Sequence, residues 1–92
     1  MNVTLHYETQ LKRAVGTATE TIDVPDGSSV GEVVRTAAQQ HGDRVAAMLL
    51  DNEGQVRPSV LIFVGDEQIG PGDARELSDG STLTLMSPIS GG

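Results

Sequence analysis

Residues 29–42 constrain this chain more than any other stretch. Ser29 and Glu32 have the spacing of a capping box, in which hydroxyl and carboxylate each reach the other's backbone donor. Val30, Val33, Val34, Ala37, Ala38 and His41 then recur at i, i+3, i+4, i+7, i+8 and i+11, a single stripe along one helix. Arg35, Thr36, Gln39 and Gln40 cover the other side, and Gly42 is placed to end the helix. A helix with one apolar stripe must lay it on another layer, and the segments around it read as strands.

The first of these is residues 2–8, where Val3, Leu5 and Tyr7 alternate with Asn2, Thr4, His6 and Glu8. Thr19–Val24 is β-branched and alternating, with Ile22 and Val24 inward. Between them, Gln10–Gly16 holds Leu11, Ala14 and Val15 around Lys12 and Arg13, as either one helical turn or a wide loop. Pro25-Asp26-Gly27 is a turn in which proline presets φ and glycine permits a positive φ. Beyond the helix, Asp43–Leu50 predicts a single turn plugging one end of the core. Val60–Val64 is apolar without alternation, as in a central strand, and Asp51–Gly54 and Gly65–Glu67 are turns. Thr82–Met86 alternates again, Leu83 and Leu85 pointing one way and Thr82, Thr84 and Met86 the other.

The order strand, strand, helix, strand, short turns, strand is that of an α+β chain. One main helix crosses a mixed sheet of four to five strands, a ubiquitin-like β-grasp. Its first and last strands are expected side by side at the centre. A single domain over residues 1–87 and a flexible tail over 88–92 account for all 92 residues.

Composition narrows the chemistry. There is no Cys, so a disulfide framework, a zinc knuckle and a thiol nucleophile are all excluded. Thirteen acidic residues against six basic ones give a net charge of −7, a surface that repels phosphate backbones and argues against direct nucleic-acid binding. The N-terminus has no signal-peptide pattern, and the longest apolar run, Val60–Val64, cannot span a membrane. A cytoplasmic protein, monomeric on its own, is expected.

No catalytic cluster stands out along the chain, which draws attention to its end. Met86-Ser87-Pro88-Ile89-Ser90-Gly91-Gly92 runs from a strand through a proline to small residues and a carboxylate. Pro88 lacks an N–H and cannot continue a strand ladder. Gly91 and Gly92 have no Cβ, so such a tail can thread a channel closed to other residues. Six residue steps separate Met86 from Gly92, a reach of about 20 Å when extended.

The close "LSDGSTLTLMSPISGG" resembles the "L-x-DGD-x-V-x-h-x-P-h-x-GG" ending of the MoaD/ThiS sulfur-carrier family, where h is apolar. The opening "MNVTLHYETQLKRAVG" is similar to the first strand and following loop of that family, and the resemblance covers essentially the whole chain. It lies nearest to carriers such as that of bacterial cysteine synthesis. Leu61 and Gly65 stand where members often carry Asn, Ser81 where they carry Asp, and Ser87-Pro88 replaces a frequent Pro-Pro.

The resemblance implies a carrier rather than an enzyme, with Gly92 as its working group. An E1-like adenylyltransferase of the MoeB/ThiF type would use ATP to make the Gly92 acyl-adenylate. Sulfur from a persulfide would then leave a C-terminal thiocarboxylate for a sulfur-accepting biosynthetic enzyme. The carrier itself would bind no cofactor and no metal. Pro88, Ser90 and Gly91 would give the tail its access, while Ile89 lodges in a partner pocket or packs on its own sheet. If Val60, Ile62 and Val64 face the helix, then Leu61 and Phe63 face outward beside Met86, a patch for docking; the opposite parity would bury them. The same terminus would equally serve a ubiquitin-like modifier joined to lysines, and the patch alone would serve a non-catalytic binding subunit.

Other residues have plainer roles. His6 and His41 lack a third ligand at metal spacing, His6 reading as a solvent-facing strand residue and His41 as a helix C-terminal cation. Asp26 and Asp79 belong to Asp-Gly turns, and Lys12 and Arg13 to a solvated connection.

Overall fold

The computed structural model describes residues 1–70 and 72–87, and among these it contains five strands and three helices. The strands are β1 (Asn2–Glu8), β2 (Thr19–Asp23), β3 (Leu61–Val64), β4 (Glu67–Ile69) and β5 (Thr82–Ser87). The helices are α1 (Thr9–Val15), α2 (Val30–His41) and α3 (Asp43–Leu49). The sheet order is β2-β1-β5-β3-β4, with β1 and β5 parallel and every other pair antiparallel. The first and last strands therefore lie side by side at the centre, as the β-grasp order requires.

Helix α2 forms where the capping box places it. Ser29 Oγ accepts from the Glu32 N–H at 3.2 Å, and the Glu32 carboxylate accepts from the Ser29 N–H at 3.0 Å. Its stripe of Val30, Val33, Val34, Ala37 and Ala38 is buried in the same core cluster as Leu5, Ile62, Leu83 and Leu85 of the sheet. Gly42, at φ 88, ends the helix in a backbone conformation that glycine adopts without a Cβ penalty. His41, the last residue of the stripe, leaves the apolar pattern and bonds to Glu20.

Two shorter segments are more helical than their sequences imply. Residues 10–15 belong to α1, which begins at Thr9, is anchored by the buried Leu11 and is capped by Gly16. The N–H of Gly16 closes it on the Lys12 carbonyl at 2.9 Å, with φ at 94. Lys12 and Arg13 thus sit on a helix rather than in a loop. The single turn expected over residues 43–50 is a seven-residue helix, α3, whose Val45 and Leu49 reach the core. Burial of these apolar anchors stabilises helices too short to persist alone. All three helices therefore contribute to the core on one side of the sheet.

Candidate functional site

The other side of the sheet is where the chain places its unusual residues. Leu61 pairs with Met86 and Phe63 with Thr84 across the antiparallel β3–β5 ladder. Glu8 and His6 flank the same two β5 residues from β1. Paired residues share a face, so Glu8, Met86 and Leu61 form one row and His6, Thr84, Phe63 and Gln68 the next. Val60 and Ile62 are buried toward the helices and Val64 packs against the core, while Leu61, Phe63 and Met86 are only half-buried. The parity that faces these three residues outward is the one the structure adopts.

No described helix covers this face, because all three helices feed the core on the opposite side. The chain has only two aromatic residues, and it uses Tyr7 in the core but Phe63 here. Burying a phenylalanine fully would stabilise a core short of aromatics, yet Phe63 stays half-buried on the uncovered face.

Strand β5, which carries Met86, is the last described element of the chain. β3 contributes its last rung at Leu61–Met86, and β1 ends its named pairing at Glu8–Met86. One further bridge joins Thr9 to Ser87, where the Thr9 hydroxyl lies 2.8 Å from the Ser87 carbonyl. Thr9 there has φ 55, and the chain turns abruptly from β1 into α1. Pro88, Ile89, Ser90, Gly91 and Gly92, singled out as access, docking and reactive positions, lie outside the described residues.

Several titratable groups elsewhere are engaged structurally. Among the described residues no three His, Cys, Asp or Glu side chains are grouped to hold a metal ion. His6 lies on the outer face, whereas His41 sits edge-on to Tyr7 with ring centroids 5.9 Å apart and bonds to Glu20. Asp79 accepts from the Asn2 N–H at 2.7 Å, tying its turn to the start of β1. Asp26 lies 3.2 Å from the terminal amine of Met1. A shallow cleft of about 390 Å³ between α1 and α3 is lined by Gln10, Arg13, Arg44 and Met48. No helix of the described residues is long and apolar enough to cross a membrane.

Residues 5–92 match the ThiS family. The chain belongs to the ThiS family. That match spans nearly the whole sequence and sets it among ubiquitin-like sulfur carriers and modifiers. Over their full lengths, the chain is 27% identical to small archaeal modifier protein 3 of Haloferax volcanii. Its fold is similar to the crystal structure of SAMP1 from Haloferax volcanii, with a TM-score of 0.84, 21% identity and all of both chains covered. It is also similar to a chain in the crystal structure of the Amycolatopsis orientalis BexX/CysO complex, with a TM-score of 0.66 and 26% identity. That alignment covers 98% of this chain and 99% of the other.

Three features escaped sequence reasoning. Glu20 is an inward carboxylate, and strand parity alone could have found it, since it alternates with Ile22 and Val24. Arg75 grips Glu67 and Asp73 from a loop that has no periodic signal. The Thr9–Ser87 bond joins residues 78 positions apart, and nothing in either local sequence announces it.

Proposed function

We propose that this ThiS-family chain is a sulfur carrier whose reactive group is the C-terminal carboxylate of Gly92. The observation that carries this reading is that β5 bears Met86 of the uncovered apolar face and runs directly toward the tail. One partner surface can thus grip Leu61, Phe63 and Met86 while its active site receives the Gly91-Gly92 terminus. The face supplies docking, the tail supplies reach, and the catalytic groups belong to the partner.

A free carboxylate resists nucleophilic attack because charge and resonance stabilise it. An E1-like adenylyltransferase of the MoeB/ThiF type overcomes this when the Gly92 carboxylate attacks the α-phosphorus of ATP and displaces pyrophosphate. A persulfide sulfur then attacks the acyl carbon and AMP leaves. Cleavage of the resulting acyl disulfide by a thiol yields the thiocarboxylate, which a biosynthetic enzyme consumes as a sulfur source. The carrier binds no cofactor in this scheme, and ATP belongs to the activating enzyme. The Amycolatopsis orientalis BexX/CysO complex, to one chain of which this fold is similar, supports docking to a partner protein.

Intact mass measurement of the protein isolated from its host tests this directly. A fraction heavier by the exchange of one oxygen for sulfur is expected. Only the free acid, even with activating enzyme, ATP and sulfur donor supplied, would overturn it. The full-length similarity to small archaeal modifier protein 3 favours a second reading, conjugation of Gly92 to target lysines. That reading expects ladders of tagged conjugates in host lysate that vanish when Gly91 and Gly92 are deleted.

A further inference from the structure

Thr9 is the only non-glycine residue at positive φ among the described residues, at 55. For a β-branched side chain this is a costly conformation, kept only where surrounding structure demands it. Two consequences of the kink are visible. It ends β1 and starts α1, and the Thr9–Ser87 bridge is the last rung between β1 and β5 among the described residues. It also brings the Thr9 hydroxyl within 2.8 Å of two acceptors, the carbonyl of Glu8 and that of Ser87. A hydroxyl has one hydrogen to donate, so the two carbonyls share it.

Thr9 is exposed, so its side chain fills no core space, and a helix could begin there from many other residues. A glycine or asparagine would make the same turn with less strain. What threonine adds is a hydroxyl on the last carbonyl of β5, that of Ser87, which immediately precedes residues 88–92 in the sequence.

We infer that Thr9 is a positioning residue for the C-terminal tail. Its hydroxyl fixes the direction of the Ser87 carbonyl, and with it the peptide plane from which the tail departs. The kinked backbone holds that hydroxyl in place. The inference rests on the carrier reading. A tail whose origin is fixed relative to Leu61, Phe63 and Met86 presents Gly92 to the activating enzyme in fewer orientations, which raises the rate of the bound reaction.

The experiment is ATP–pyrophosphate exchange with the E1-like activating enzyme of the host, comparing the wild-type chain with T9S, T9A and T9G. T9S and T9A carry the same Cβ strain and differ only in the hydroxyl, whereas T9G loses both strain and hydroxyl. The expected result is a kcat about three- to tenfold lower for T9A and T9G, the scale of one lost hydrogen bond. T9S should recover most of the wild-type kcat, and KM should stay unchanged in all three because the docking face is intact. Melting temperature should not fall in T9G, which separates tail positioning from stability. Equal kcat in wild type, T9A and T9G overturns the inference, as does an equal loss in T9S and T9A. No exchange with the wild-type chain would instead overturn the carrier reading itself.

Discussion

The phenol of Tyr7 donates a 2.5 Å hydrogen bond to Glu20 Oε2, joining β1 to β2 at the edge of the core. The same carboxylate oxygen bonds His41 Nε2, so the end of α2 is tied to both strands. Burial pushes the Tyr7 hydroxyl well above the ordinary tyrosine range, and the hydrogen bond to Glu20 pushes it further. A buried phenolate facing a carboxylate would suffer both desolvation and repulsion.

This has an alkaline signature. The folded chain holds its Tyr7 proton beyond the value of about 10 at which the unfolded chain releases it. Stability from this group is therefore complete below that pH and is lost as pH rises above it. Thermal melts between about pH 9 and pH 11.5 should show wild type losing stability faster than Y7F. At neutral pH, Y7F should be less stable by about 1 kcal/mol, one hydrogen bond. Parallel slopes for the two proteins would contradict the account.

Arg75 predicts the opposite limb. Its Nη1 and Nη2 contact the Glu67 carboxylate at 3.1 and 2.9 Å, and its Nε and Nη2 contact Asp73 at 3.2 and 3.0 Å. The guanidinium holds both carboxyls below their usual range. Depressed carboxyls contribute stability that is present above their unfolded values of about 4 and lost as pH falls through the folded ones. R75Q should remove part of the acid dependence of the melting temperature and little of the value at neutral pH. The difference between the two proteins should shrink in high salt, because Glu67 is exposed and Arg75 and Asp73 are partly so. A pH-independent difference would show that the clamp acts by packing alone.

Phe63 tests the proposed docking face. Because the side chain packs into no described core, F63S should melt close to wild type. It should raise KM for the activating enzyme by about tenfold, the scale of one interface hot spot, while kcat changes little. A loss in kcat with unchanged KM would instead place Phe63 outside the docking contact. This is the reverse of the pattern expected at Thr9.

The capping box gives a stability measurement independent of function. S29A removes the acceptor for the Glu32 N–H and should cost about 1 kcal/mol by denaturant unfolding, with m unchanged. S29D, which keeps an acceptor, should recover most of it. Equal losses in both variants would mean that the cap contributes little.

Much of the fold was legible because its signals are local. Ser29 and Glu32 lie one helical turn apart, and the stripe from Val30 to Ala38 repeats at helical spacing. Alternation alone sorted Val3, Leu5 and Tyr7 from Thr4 and His6, but Val60–Val64 is apolar throughout, so both parities of Leu61 and Phe63 stayed open until the β3–β5 pairing set them beside Met86 and Thr84. The helices α1 and α3 were under-read for an equally physical reason. Each is seven residues long, and its stability comes from burying Leu11, or Val45 and Leu49, rather than from its own propensity.

The sequence by itself determined the α2 cap and stripe, the alternating strands and the diglycine ending, because each depends on neighbours a few residues apart. Only the tertiary structure decided which side chains would answer one another over distance. Tyr7 and Glu20 are 13 positions apart, Glu20 and His41 are 21, and Thr9 and Ser87 are 78. Such contacts depend on strand register and on which helix end meets which strand edge. Those are settled by packing the whole core at once, so no short window of sequence carries them.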